Sequence, residues 1–397
     1  MRRALVVIGL LLSLVPAGAR RVPRQPFIRA DLNYLQMPAG KSPDYDLFLR
    51  KLDSLLVTGG TDVHILQIGG SHVQGGTLSD RLRRQFLSLR YGIDGGRGLV
   101  FPYAAAMTNT PVSYSSSYSG KWESATCLKP GNESLGISGM AVTAQDTSAR
   151  VVIDLVPKEV QLLQQHYSFK TVDILGEGSL EPVLLQGKDT LRGVKGTHIV
   201  HFDLPYYMDW VQVGFLGEGK FTVRGLYLDR PSGGISFSEA GVNGASTTSW
   251  LRCEKMEEDL RRLMPDLVIF SIGINDIQGP DFDASRFMRR YRDLMKEIRK
   301  VNPRCAFLFT GINDSVLRKH GVNPHTEAVQ KACRELAKEC QGVFWDWYAV
   351  MGGKGSMAQW ETAGLAQSDR IHFTPNGYRL VADLLFEAIL EDYYNRR

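Results

Sequence analysis

Past its opening residues, this 397-residue chain lacks any apolar run long enough to span a bilayer, which takes about 20 residues. That excludes an integral membrane protein built on helical spans. Cysteine is scarce and odd in number: Cys127, Cys253, Cys305, Cys333 and Cys340. None has the paired C-x-x-C spacing of a zinc site. Cys333 and Cys340 share one face of an expected helix, but the rise between them separates them by about 10 Å, too far to bridge. The cysteines therefore read as small core residues. His64, His198 and His201 fall on strand patterns with no carboxylate or cysteine at ligand spacing, so no metal is implied. No charge of one sign dominates either. The net charge is +5, with Lys and Arg scattered along helices rather than gathered into a stripe, which argues against a nucleic-acid partner. Internal repeats and low-complexity segments are absent.

The start of the chain reads as a targeting signal. Arg2 and Arg3 precede an apolar stretch from Ala4 to Val15, and Ala17-Gly18-Ala19 forms a small-residue cleavage pattern. Residues 1–19 are expected to be a signal peptide, leaving a protein exported to the periplasm or beyond with no transmembrane segment after cleavage.

Three stretches follow. Residues 20–97 hold an apolar strand pattern, Val63 to Ile68, then the turn Gly69-Gly70-Ser71. Leu78, Leu82, Phe86 and Leu89 then mark an amphipathic helix directly after that turn. Residues 98–235 lose helical periodicity. Runs such as Arg150 to Val156, Lys170 to Leu175, His198 to Leu204, Trp210 to Leu216 and Phe221 to Leu228 predict an inserted antiparallel β-sandwich. Residues 236–397 return to strand-helix alternation, with strands expected at Leu267 to Ile272, Cys305 to Thr310 and Val343 to Trp347. A helix marked by Phe287, Tyr291, Leu294 and Ile298 ends before Pro303, and another carries Val329, Cys333, Leu336 and Cys340. The last helix begins at Thr374-Pro375, a good cap followed by proline in the first turn. Such units build a parallel sheet covered on both faces, with ligands at the carboxyl ends of its strands.

Four short segments fall at or beyond such ends: Ser71, Gly241-Val-Asn-Gly244, Gly273-Ile-Asn275-Asp276 and Asp369-Arg-Ile-His372. A serine hydroxyl needs a base within reach and a third group to orient that base. Asp369 and His372, three apart in a loop, can fill both roles, because the carboxylate can hold one imidazole nitrogen while the other faces Ser71. The oxyanion formed on attack needs preorganised donors. The backbone N–H groups of Ser71 and Gly244 and the side-chain amide of Asn275 are the candidates. Asp276 reads as a structural hydrogen-bonding group rather than a second catalytic acid, and His72, which borders the site, as either a substrate contact or a surface neighbour. Trp122, Trp210, Tyr206 and Tyr207 are either core or a sugar-stacking surface on the sandwich.

In these four blocks the chain resembles the SGNH (GDSL-like) hydrolase family, whose blocks contribute Ser, Gly, Asn and His in that order. The resemblance implies a flavodoxin-like three-layer α/β domain, a serine esterase mechanism and no metal or organic cofactor. The sandwich between the first and second blocks, with Gly95-Gly-Arg-Gly98 and Gly136-Ile-Ser-Gly139, narrows it to the periplasmic peptidoglycan O-acetylesterases. That implies an acetylated glycan partner and removal of acetyl groups from O-6 of N-acetylmuramic acid. The first block departs from the usual Gly-Asp-Ser, reading Gly69-Gly70-Ser71. Transfer of the acetyl group to another sugar uses the same site. A glycan-binding protein with a vestigial hydrolase domain is the alternative from another class.

Overall fold

The computed structural model describes residues 25–131, 134–155, 168–231, 233–279, 281–317 and 321–396; the expected signal peptide lies outside them. Among the described residues, no helix is long and apolar enough to cross a membrane.

The strand Asp62–Gly69 is apolar at most positions because both its faces are covered, and five of its last six residues are buried with none exposed. It pairs in parallel with Gly234–Gly241 on one side and Leu267–Ser271 on the other. Ala306–Phe309 and Val343–Trp345 continue the parallel order beyond Leu267–Ser271. A two-residue strand that the sequence did not announce, Leu35–Gln36, closes that edge antiparallel to Val343–Trp345. The domain is therefore the expected layered α/β unit, with one short antiparallel edge. Helix Thr77–Leu87 packs on Pro375–Asn395, and Ala284–Val301 packs on Thr326–Glu339. Of these four helices, Pro375–Asn395 and Ala284–Val301 are capped by side chains at their starts. Thr374 accepts a hydrogen bond from Gly377 N–H at 3.3 Å, and Asp283 accepts one from Arg286 N–H at 3.0 Å.

The helix after the serine turn differs from expectation. A short helix, Ser71–Gln74, comes first, and the amphipathic helix starts only at Thr77 and ends at Leu87, before Leu89. The strand Gly234–Gly241 is also unannounced by the sequence pattern. Its Ser236, Ser238 and Glu239 are all buried, so the segment carries no apolar signature.

Between Thr77–Leu87 and Gly234–Gly241 the chain forms antiparallel sheets of five and seven strands. All five expected runs contain strands: Arg150–Asp154, with Val156 outside the described residues, Phe169–Gly178, Ile199–Met208, Trp210–Leu216 and Phe221–Asp229. The two sheets meet through Phe215, whose ring lies 5.7 Å from Trp122 and 5.8 Å from Phe221. Arg262 of the α/β domain ties this sandwich down. It pairs with Asp173 and Asp229 and lies 4.1 Å from the ring centroid of Tyr227.

Candidate active site

Three of the four sequence blocks leave the sheet at one level. Gly69 is in register with Gly241 on one side and with Ser271 on the other, so the segments after these strands emerge together. The short helix Ser71–Gln74 rests against the end of the neighbouring strand. A side chain at Gly241 would put its first carbon 2.3 Å from Gln74 N, so only glycine permits that approach. The helix's own bonds begin with Val73 N–H and Gln74 N–H donating to Gly70 O, at 3.1 and 3.0 Å. Ser71 N–H thus lies outside the helical ladder.

The fourth block arrives from a tight loop before Pro375–Asn395. Gln367 N–H donates to His372 O at 2.8 Å, and Gln367 Nε2 to Phe373 O at 3.1 Å. This loop sets His372 Nε2 2.7 Å from Ser71 Oγ and His372 Nδ1 2.7 Å from Asp369 Oδ2. The second carboxylate oxygen of Asp369 accepts the N–H groups of Ile371 and His372, at 2.9 and 3.0 Å. Partial burial pushes the Asp369 carboxyl up, but these hydrogen bonds outweigh it and hold the group below the ordinary carboxylate range. Serine, imidazole and carboxylate therefore form one continuous hydrogen-bonded line. Such a line can move a proton off a hydroxyl and stabilise the imidazolium that results.

His72 is not a surface neighbour. It is 3% exposed, its Nδ1 lies 2.7 Å from Tyr378 Oη, and its ring sits 5.3 Å from that of His372. Burial first, and then the neighbouring His372, press its pKa down to about 3, so it stays neutral against the site. Its role is to pack the face of the His372 loop together with Phe373 and Tyr378.

Gly244 lies within the turn that follows Gly234–Gly241 and has φ +81°. Asn275 sits in a single 3₁₀ turn, and its Nδ2 donates to Ala245 O at 2.9 Å, which links these two blocks. Asp276 accepts from Thr247 N–H at 3.1 Å and Thr247 Oγ1 at 2.6 Å. Burial raises its carboxyl above the ordinary range, and it caps the start of the short helix Thr247–Trp250. Two polar residues beside this site were not singled out from sequence: Gln74, which is buried, and Asn109, both of which bond Asn243 of the second block. No local motif marks them; only the three-dimensional arrangement brings them together.

The histidines read as partnerless have carboxylates after all, supplied from other elements. His201 Nδ1 is 2.6 Å from Asp173 Oδ1, and His198 Nδ1 is 3.1 Å from Glu258 Oε2. Glu177, His198 and Glu258 offer donors within 4.8 Å of one another. Arg224 Nη2 and Lys255 Nζ already face Glu258, at 3.3 and 2.9 Å, so this cluster is balanced by side chains of the protein itself. His64 Nδ1 instead meets Ser236 Oγ at 2.6 Å. Of the aromatic candidates, Tyr206 and Tyr207 are exposed, while Trp122 packs on Phe215. Tyr207 lies beneath the Arg230 guanidinium, 4.9 Å from its ring centroid.

A sequence profile of the GDSL-like lipase/acylhydrolase family matches residues 224–380. That stretch holds Gly244, Asn275, Asp369 and His372, whereas Ser71 precedes the sandwich that separates it from them. No curated protein sequence matches the chain. Among solved structures, a peptidoglycan O-acetylesterase superposes with a TM-score of 0.75 at 25% identity, over 91% of this chain and 99% of its own. An acetyl xylan esterase aligns at 20% identity over 39% of this chain and 81% of its own, with a TM-score of 0.33. An acetylxylan esterase variant from Geobacillus stearothermophilus aligns at 20% identity over 40% and 74%, with a TM-score of 0.33.

Proposed function

We propose that this chain is a carboxylic ester hydrolase of the GDSL-like lipase/acylhydrolase kind that removes O-acetyl groups from peptidoglycan. The bond cleaved is the ester at O-6 of N-acetylmuramic acid, and the acetyl group passes through Ser71. The observation that carries this reading is the likeness to a peptidoglycan O-acetylesterase over 91% of the chain, sandwich included, around a Ser71–His372–Asp369 line with both contacts at 2.7 Å.

In this mechanism Ser71 Oγ attacks the ester carbonyl carbon while His372 Nε2 takes the hydroxyl proton. Asp369 keeps the other ring proton on Nδ1 and stabilises the imidazolium. The carbonyl oxygen becomes an oxyanion facing the N–H groups of Ser71 and Gly244 and the Asn275 amide. One N–H of that amide is committed to Ala245 O, and the second remains for the oxyanion. Each such donor is worth about 3 kcal/mol of barrier. The bond from the acetyl carbon to the sugar oxygen then breaks, and the sugar oxygen receives the proton from His372. Water gives a proton to the same imidazole and attacks the acetyl-enzyme, acetate departs, and Ser71 regains its hydrogen.

Residues 1–19 as an export signal fit a substrate that lies outside the inner membrane. The division of the chain into 20–97, 98–235 and 236–397 belongs to the same reading, with the last limit moved to Gly234, where the parallel sheet resumes. The test is mass spectrometry of muropeptides from O-acetylated peptidoglycan before and after treatment with the protein. Loss of the acetyl group from muramic acid, with free acetate, is expected. Muropeptides left acetylated while an aryl acetate is hydrolysed would place the substrate elsewhere, and acetyl appearing on added glycan would make the protein a transferase.

A further inference from the structure

Gly244 occupies the third position of a four-residue turn, Val242 to Ala245, closed by Ala245 N–H donating to Val242 O at 2.9 Å. Its φ of +81° is the value that a type II turn requires there. The peptide joining Asn243 to Gly244 is the central peptide of that turn, and its orientation is what separates type II from type I. The Gly244 N–H belongs to this peptide. Asn243 and Gly244 are exposed, so solvent-side packing does not hold them.

The turn is instead held from one side by a closed set of hydrogen bonds. Gln74 is fully buried, three residues after the nucleophile, and its Oε1 accepts Asn243 N–H at 2.6 Å. Its Nε2 reaches Thr108 Oγ1, Asn109 O and Asn109 Oδ1, at 3.0, 3.0 and 3.2 Å. Asn109 Oδ1 also accepts Asn243 Nδ2 at 2.7 Å. Both the backbone N–H and the side chain of Asn243 are thereby tied, so the point from which the Gly244 peptide departs is fixed. Asn109 belongs to the loop that joins Gly98–Val100 of the seven-stranded sheet to Ser115–Ser119 of the five-stranded sheet. That loop is anchored nearby by Tyr103 Oη donating to Gly241 O at 3.3 Å.

From this we infer that Gln74 and Asn109 are positioning residues that aim the Gly244 N–H at the oxyanion. The loop between the first two strands of the antiparallel insertion therefore completes the ester-cleaving site, besides whatever the sandwich does for the glycan. The inference rests on the proposed roles of Ser71 as nucleophile and Gly244 as oxyanion donor.

The test is steady-state hydrolysis of a small aryl acetate, which needs no glycan contact, with enzyme concentration set by titration with a serine-reactive phosphonate. Asn109→Ala and Gln74→Ala are expected to lose roughly 10- to 100-fold in kcat with KM within about threefold, because the donor acts in the transition state. Asn109 uses its side chain only as an acceptor in these bonds, so Asn109→Asp is expected to restore most of the kcat lost in Asn109→Ala. A kcat within about twofold of wild type in Asn109→Ala would overturn the inference. So would a loss confined to KM, or a folded Asn109→Asp as slow as Asn109→Ala. Ser71→Ala, run alongside, separates the two readings. If it hydrolyses the ester as wild type does, the nucleophile assignment itself has failed. If it is inactive while Asn109→Ala is normal, only the positioning role has.

Discussion

A side-chain carbon at Gly70 would stand 2.9 Å from Asn275 Nδ2, closer than packed atoms tolerate. The amide cannot simply swing away, because it is bonded to Ala245 O at 2.9 Å. The glycine that replaces the usual aspartate of the first block is thus matched to this position of Asn275. Restoring the aspartate is expected to displace the amide: Gly70→Asp should lower kcat about tenfold on an aryl acetate, part of the loss of one oxyanion donor. A faster enzyme would show that the match is accidental. The other residue-scale consequence concerns pH. Asp369 is held below its unfolded pKa of about 3.9, so the folded protein releases its proton more readily than the unfolded chain does. The stability that Asp369 contributes is therefore present above about pH 4 and is lost as pH falls through the folded value. Urea titrations between neutral and acidic pH should show a shallower acid decline for Asp369→Asn than for wild type. Parallel declines would mean that the hydrogen bonds from Ile371 and His372 do not favour the charged form.

At the scale of elements, the strand Gly234–Gly241 explains both what could be read and what could not. Strands such as Leu267–Ser271 are buried by apolar side chains on both faces, and their runs stand out in the sequence. Gly234–Gly241 is equally buried but fills its interior with Ser236, Ser238 and Glu239. Each is bonded to a distant partner: His64 for Ser236, Leu99 N–H for Ser238, and Arg97 for Glu239 Oε1. No periodicity rule detects a strand whose polar groups find their partners so far away along the chain. Arg97 Nη2 lies 2.6 Å from Glu239 Oε1, and both side chains are almost wholly buried. Arg97→Ala should cost about 3 kcal/mol of stability in urea unfolding, near the low end for a broken buried pair because Arg83 also faces Glu239. Adding Glu239→Gln should recover part of that loss. If the double variant is less stable than the single one, the unpaired charge is not the cause.

At the scale of the whole molecule, the Ser71 and Asn275 blocks were legible because each follows a buried apolar strand, Asp62–Gly69 and Leu267–Ser271, whereas the Gly244 and His372 blocks were legible only from their own residues and their order in the chain. Their convergence follows from the register that brings Gly69, Gly241 and Ser271 level. What the sequence withheld is the part built across the insertion: Asn109 beside Gln74, His72 buried against Tyr378, and Arg262 bound to Asp173 and Asp229. These contacts join residues far apart in the chain through single side chains, and nothing local marks them. Two of these contacts tie the insertion to the α/β domain, at Asn109 and at Arg262. The most direct measurement is the rate of acetate release from O-acetylated peptidoglycan by wild type and by a folded Ser71→Ala variant at equal concentration. Loss of the nucleophile is predicted to cut the rate by at least about 10³-fold, and an unchanged rate would contradict the account.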